Sequence, residues 1–367
     1  MTDAAILVTG FPGLRARAIT TALLAGDRDA RVRLVVHPKR RADAEAALAR
    51  LVAHERVTLL FGDPAAIDLG LPGATYRSLA SEVRTIHHAY QVIDLSAPGD
   101  VARDANVGGA REMIELAKVA KNLERLVHYS SVFVSGDRAG LVLEGELAAG
   151  QGFRSPVEES LALAEQMLSR HASLPLTVVR APHVVGDSLR GESDRWDGVY
   201  ALLSFLAGAP RGSVLPLPPR SESPLHVVPV DFVAKAARVV AAHPRALRKT
   251  LHLVDPAATS LRRFIELASK RFGHEVESAT SPAAFGRALV KNPGVGLLAR
   301  RLRVVSELLG TQATYDQAVA RDLLAESSVE CPPLEAYLDV LLEHVERRLA
   351  EPSPESREGA EAFLVAG

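Results

Sequence analysis

Apolar positions in the first 180 residues fall into short solid blocks that alternate with longer stretches of helical spacing. Residues 4–9 form a block that ends at glycine, the pattern of a strand buried on both faces. Residues 14–25 follow with good helix formers and apolar residues at helical spacing. Residues 32–36 predict a second strand, 42–54 an alanine-rich helix, and 57–61 a third strand stopped by Gly62-Asp63-Pro64. The alternation continues as strand 83–86, helix 105–121, strand 126–130, helix 158–172 and strand 176–180. Strands alternating with helices of this length imply βαβ units, a parallel sheet and right-handed crossovers.

Beyond residue 185 the regularity loosens. Residues 186–195 are polar and contain glycine, and residues 210–224, rich in Pro, Ser, Gly and Arg, read as a surface loop. Helices are expected at 232–242, 261–272 and 334–349, with a strand at 250–253.

The first strand and helix are joined by Thr9-Gly10-Phe11-Pro12-Gly13-Leu14-Arg15-Ala16. In a dinucleotide-binding turn the first glycine permits the tight bend and the second lets backbone approach the pyrophosphate. The helix N-terminus then offers free N–H groups to the anion. Thr9, Gly10, Phe11, Pro12, Gly13 and Leu14 are the candidate phosphate-binding residues, with Ala16 at the third small position. An acid at the end of the second strand would bind the ribose 2′-hydroxyl of NAD. Here His37-Pro38-Lys39-Arg40-Arg41 offers none before Asp43. His37, Lys39 and Arg40 suit the 2′-phosphate of NADP, so NADP is expected ahead of NAD; the bland alternative is a solvated charge run. The fold class is therefore α/β, a Rossmann doubly wound parallel sheet with a smaller mixed α/β C-terminal substrate-binding part. The expected division is 1–185 for the Rossmann domain with a return strand and helix from about 226–255, 186–350 for the substrate-binding part, and 351–367 for a flexible tail.

Composition narrows the partners. A net charge of −1 over 367 residues gives no whole-chain reason to expect nucleic acid. The single cysteine, Cys331, excludes an intramolecular disulfide. No apolar run reaches the ~18 residues of a transmembrane helix, and no N-terminal leader pattern is present, so a soluble cytoplasmic protein is expected. The twelve histidines show no metal-ligand spacing. A homodimer is compatible with the sequence, which fixes no oligomeric state.

The order of motifs resembles the extended short-chain dehydrogenase/reductase family, most closely its thioester-reductase and fatty-acyl-reductase branch, also called male-sterility-like. The resemblance runs from residue 4 to about 350. It places Asp63 beside the adenine, and Ile86-His87-His88-Ala89-Tyr90, with His87 and Ala89, in the fourth-strand motif beside the cofactor. Asn106-Val107-Gly108-Gly109 resembles the family motif that opens the following helix. Tyr129-Ser130-Ser131-Val132-Phe133-Val134-Ser135-Gly136 resembles the strand that carries the catalytic Ser or Thr, which implies that role for Ser131 and a cofactor contact for Ser130. Val185-Gly186-Asp187-Ser188-Leu189-Arg190-Gly191-Glu192 is similar to a later segment of the branch.

The resemblance also implies a Tyr-x-x-x-Lys pair, in which the tyrosine protonates the developing alkoxide and the lysine tunes it and holds the nicotinamide ribose. A free tyrosine, with a pKa of ~10, needs such tuning to act near neutrality. Phe153, Glu158, Ser160 and Ala164-Glu165 match the family segment, but Val157 stands at the tyrosine position and Leu161 at the lysine position. No tyrosine lies between Tyr129 and Tyr200, and no lysine between Lys121 and Lys235. The expected function is therefore an NADP-binding pseudoenzyme with a cofactor-binding or regulatory role. Two alternatives stay open. One is an active reductase of an acyl thioester, aldehyde or ketone that uses Ser131 with a substituted acid, His183 or Tyr200. The other is a scaffold without cofactor. An apolar substrate groove would draw on Phe205, Leu206, Leu215, Leu217 and the helix before Gly310, although core packing is the simpler reading of each.

Overall fold

The computed structural model describes residues 4–194, 196–217, 221–278 and 311–351. The segment before Gly310 and the tail from 352 lie outside the described residues. The chain begins with β1 (Ala5–Thr9), α1 (Leu14–Gly26), β2 (Arg31–Val36), α2 (Arg41–Leu48) and β3 (Val57–Phe61). It returns through α3 (Gly73–Glu82), β4 (Val83–His88), α4 (Gly99–Arg103), α5 (Gly109–Val119) and β5 (Arg125–Ser131). Then come β6 (Gly140–Val142), α6 (Pro156–Ser169), β7 (Leu176–Ala181), β8 (His183–Val185), α7 (Gly198–Gly208), β9 (Val214–Leu217), β10 (Val227–Pro229), α8 (Val230–Ala242) and β11 (Thr250–His252). The described chain closes with α9 (Leu261–Phe272), β12 (Glu275–Ser278), β13 (Ala313–Tyr315), α10 (Ala318–Leu324) and α11 (Leu338–Ala350).

Seven strands form one parallel sheet in the order β11-β7-β5-β4-β1-β2-β3. The chain runs outward from β1 to β3 and then crosses back to β4 on the other side of β1. This reversal leaves a crevice at the carboxyl ends of β1 and β4, where doubly wound sheets bind ligands. One sheet face is covered by α1 and α8 through Ile19, Leu23, Phe232 and Val240, and the other by α3, α5 and α6 through Leu79, Met113 and Leu168. A separate core joins α7, α9 and α11 through Leu203, Phe264 and Leu341. Phe205, Leu206, Leu215 and Leu217 all pack inside this core.

Local chemistry explains most differences from the sequence pattern. The helix expected to reach residue 54 stops at Leu48, and the chain passes through Ala53 at φ +62. Beyond it Leu51 still packs against the core while Val52 is exposed. The Pro- and Ser-rich stretch 210–224 contains β9, which pairs in parallel with β12. Leu215 and Leu217 are buried while Val214 is exposed, and this period-two alternation is enough to make a strand. The helix expected from residue 105 opens with one π turn, Asp104–Gly108, before α5.

A buried polar hub ties the second half of the sheet to the C-terminal part of the chain. Arg180 on β7 and Glu165 on α6 are each 1% exposed and form an ion pair at 2.5 Å. Ser130 of β5 donates to Glu165 Oε2 at 2.8 Å, and Arg180 Nη1 donates to the carbonyl of Glu146 at 2.8 Å and meets His252 Nε2 at 3.1 Å. Glu144 accepts N–H bonds from His252, Val319 and Ala320, which ties α10 to the sheet edge. Removing one partner of a buried pair leaves the other charge uncompensated at a cost of ~3–5 kcal/mol. Glu165→Gln is therefore expected to lower unfolding stability by about that amount in urea titrations. The double change Glu165→Gln/Arg180→Met should cost less than the two single losses added.

Four buried histidines sit on the strands. Burial lowers His87 to about 4 and His88 to about 3, holds His128 well below its ordinary value, and lowers His252 to about 3 with help from Arg180. The unfolded chain, at ~6.5, takes up protons that the folded chain does not. Stability is thus fully present above ~6.5 and is lost as pH falls toward 4, each histidine adding up to ~1.4 kcal/mol per pH unit. Circular dichroism in an acid titration should show cooperative unfolding above pH ~4. A transition flat between pH 6.5 and 4 would contradict this.

Candidate functional site

The crevice opens on the phosphate loop. Gly10 has φ +91, and a Cβ there would lie 2.7 Å from the carbonyl oxygen of Ala89, so only glycine fits this turn against β4. The Gly13 N–H closes the turn onto Gly10 O at 2.8 Å. No side chain caps α1, which starts directly after Gly13, so its first-turn N–H groups face the crevice as an anion site. Phe11 is buried in the core and offers only backbone to a ligand. Thr9 Oγ1 bonds His88 Nδ1 at 3.0 Å and accepts the Tyr90 N–H at 3.2 Å, which holds β1 to the chain leaving β4. Arg17 donates to the Pro12 carbonyl and pairs with Asp194 at 2.9 Å, linking the loop to the segment before α7. This cradle fits a dinucleotide pyrophosphate.

On the β2–β3 side, His37 Nδ1 accepts the Lys39 N–H, and Arg40 pairs with Asp43 at 2.6 Å. The Arg41 guanidinium lies 3.4 Å from the Phe61 ring centroid. Asp63, just past β3, receives the Ala65 N–H at 2.9 Å. The predicted basic cluster and Asp63 therefore flank the carboxyl ends of β2 and β3.

On the β4–β5 side lies a cleft of about 560 Å³ including the solvent at its mouth, and its polar lining includes Arg15, Ser130, Ser131, His183, Asp197 and Tyr200. Leu161, Ile93, Leu95 and Phe133 supply apolar walls. Ser131 Oγ accepts the Phe133 N–H at 3.2 Å and starts a short 3-10 turn. His183, the first residue of β8, packs its ring 4.7 Å from that of Phe133. The Tyr200 hydroxyl accepts the Gly186 N–H at 2.8 Å and donates to Gly191 O at 3.3 Å, bracing the 186–191 turn.

The structure thus gathers Ser130, Ser131, Leu161, His183 and Tyr200 in one cleft and sets other candidates behind it. Val157 is 0% exposed and packs with Tyr90, Val92, Ala105 and Val134, and Leu161, 1% exposed, joins the same cluster. His87 is buried with Nδ1 2.8 Å from the Tyr129 hydroxyl. Asn106 uses its amide on the Val92 backbone at 2.8 and 2.9 Å and on Ser160 Oγ at 2.9 Å, so it fixes the chain leaving β4 against α6.

Arg15 also lines the cleft, a role the sequence reading did not give it. It is 4% exposed and shares the inward stripe of α1 with Ile19 and Leu23, a spacing at which an arginine is unexpected. Cys331 is half-buried, and burial with nearby Asp255 pushes its thiol up to about 12, which keeps it unreactive. Among the described residues, no group of three or more His, Cys, Asp or Glu is placed to hold a metal, and no helix is long and apolar enough to cross a membrane.

Comparison with known proteins agrees with this architecture. The structure superposes on the terminal R domain of the myxalamid PKS-NRPS biosynthetic pathway with a TM-score of 0.79 at 23% identity, covering 97% of this chain and 93% of that one. A linear gramicidin synthase component of Brevibacillus parabrevis is 24% identical over 76% of this chain, which spans only 6% of that protein. The fatty acyl-CoA reductase wat of Drosophila melanogaster is 23% identical over 64% of this chain and 53% of its own length. The family model of the NAD-binding male sterility proteins matches residues 8–237, from the phosphate loop to α8. The chain belongs to that family, within the thioester-reductase and fatty-acyl-reductase branch of the extended short-chain dehydrogenases/reductases.

Proposed function

We propose that this protein binds a nicotinamide dinucleotide, NADP ahead of NAD, in a regulatory or cofactor-binding role without the family's Tyr/Lys chemistry. The burial of Val157 and Leu161 carries the reading. Both are apolar, one helical turn apart on α6, and packed into a single cluster. A tyrosine acid and a ribose-holding lysine would have to occupy that face, which here does packing instead. Gly10, Gly13 and the uncapped start of α1 would hold the pyrophosphate. Lys39 and Arg40 would meet the 2′-phosphate, Arg40 exchanging its exposed pairing with Asp43 for a phosphate oxygen. A bound nicotinamide would carry a transferable hydride, and this chain's part would be to bind and orient it.

A second reading keeps one observation in its favour. Ser131, His183 and Tyr200 line the same cleft, so a carbonyl placed there would meet hydrogen-bonding groups. An acyl thioester, as the name of the fatty acyl-CoA reductase relative indicates for that protein, is the substrate class to try first.

Titration calorimetry should detect NADPH binding, while NADPH oxidation with acyl thioesters, aldehydes and ketones should stay at background. Turnover that disappears in Ser131→Ala would overturn the pseudoenzyme reading in favour of the second. The paired change Lys39→Ala/Arg40→Ala should weaken NADPH by about tenfold or more and leave NADH unchanged, as expected for lost charge-assisted phosphate contacts. Equal losses for both nucleotides would place the basic cluster outside the 2′-phosphate site.

A further inference from the structure

We propose that the face at the amino ends of β5, β7 and β11 docks an acidic protein segment that also presents apolar side chains. These strands are neighbours in one parallel sheet, so the stretches that lead into them, 118–125, 170–177 and 243–250, come together on one edge. That edge lies opposite the crevice, which opens at the carboxyl ends. The three stretches hold seven Lys and Arg and one acid, Glu124, in a chain with 43 cations and 44 acids. Two of the seven are already paired, Lys118 with Glu115 and Arg245 with Asp322, and Glu124 is taken by Arg84. Lys121, Arg170, Arg248 and Lys249 are exposed, and among the described residues none of them has a carboxylate partner.

The stretches are fixed against one another. Arg125, 8% exposed, donates through Nη1 to Thr177 Oγ1 at 2.9 Å and through Nη2 to the His243 carbonyl at 3.1 Å. Thr177 Oγ1 donates to the Ala246 carbonyl at 2.8 Å, the Arg248 N–H to Leu176 O, and the Arg248 guanidinium to Ala172 O. Strands ~4.8 Å apart set the entering stretches side by side, so the unpaired cations gather on a held frame. Val119 and Leu247 stand among them, 50% and 42% exposed. Unpaired cations draw an acidic partner and set its approach, and the two apolar side chains offer it area to bury. The three stretches contain no aromatic residue on which nucleic-acid bases could stack. Val119 and Leu247 sit on separate stretches and do not form the continuous apolar face of a helix that lies in a lipid surface. An acidic protein segment fits both the charges and the apolar side chains.

The test is fluorescence polarisation of a labelled synthetic helical peptide of ~15 residues, with glutamates along one side and leucines along the other, titrated with the full chain. The native protein should bind it at ~0.05 M salt and about tenfold or more weakly at ~0.5 M. Lys121→Glu/Arg170→Glu/Lys249→Glu should weaken binding by about tenfold or more. Leu247→Ser should weaken it by about threefold and leave the salt dependence as it was. If the charge-reversed variant does not fold, Lys121→Ala/Lys249→Ala decides by the same loss in smaller measure. Absence of binding by the native protein would overturn the proposal, as would binding that the charge reversal leaves unchanged. Equal binding of a glutamate peptide without leucines would overturn the apolar part of the surface. Tighter binding to phosphatidylglycerol vesicles or to a DNA duplex than to the peptide would overturn the choice of a protein partner.

Discussion

The buried pair between Arg180 and Glu165 is the constraint around which this half of the molecule is arranged. Two full charges at 1% exposure are tolerable only when paired and further hydrogen-bonded. Each additional contact of the pair recruits a different part of the chain: Ser130 from β5, the carbonyl of Glu146 from the stretch after β6, and His252 from β11. The pair thereby sets the height of α6 against β5 and β7. It also forces the 144–146 stretch beneath α10, where Glu144 receives three backbone N–H groups.

The same helix shows which residues hold it in place and which do not. The N-terminus of α6 is anchored by Ser155, which accepts the Glu158 N–H, and by Glu158, which accepts from the backbone and guanidinium of Arg154. This is a variant of the capping box, with Pro156 at the first helical position. Ser160 receives the Asn106 amide, and Glu165 holds Arg180. Three of the residues of this segment that carry the family resemblance, Glu158, Ser160 and Glu165, are thus engaged in holding the helix in place. Val157 and Leu161 face the apolar cluster instead, and a change there leaves the anchors untouched. The frame of α6 is thus fixed by residues other than Val157 and Leu161.

Much of this was legible in the sequence, because strands and first-half helices are written locally. The run from Ala5 to Thr9 before Gly10, the blocks at Val32 and Val57, and the helix from Leu14 all carry their own periodicity and end signals. The cradle was legible for the same reason, since Gly10 and Gly13 act through backbone geometry. Long-range polar pairing escaped. Glu144 and Ala320 lie 176 residues apart, and nothing near either announces the other. Arg15 and Arg180 looked like ordinary charges in a helix and a strand until burial gave them partners. The small strands β8 and β9 also escaped, β8 because three residues show no period and β9 because its alternation sits in a Pro- and Ser-rich stretch.

The two ends of the crevice are electrostatically unlike. At the β2–β3 end the cations are exposed and already paired, Arg40 with Asp43 and Arg41 with Glu45. Such pairs are cheap to exchange and screened by salt. At the β4–β5 end Arg15 is buried among Gln91, Tyr129 and neutral histidines, where screening is weak and rearrangement costly. The charges at the β2–β3 end can therefore rearrange toward an incoming anion, whereas Arg15 is held where it stands.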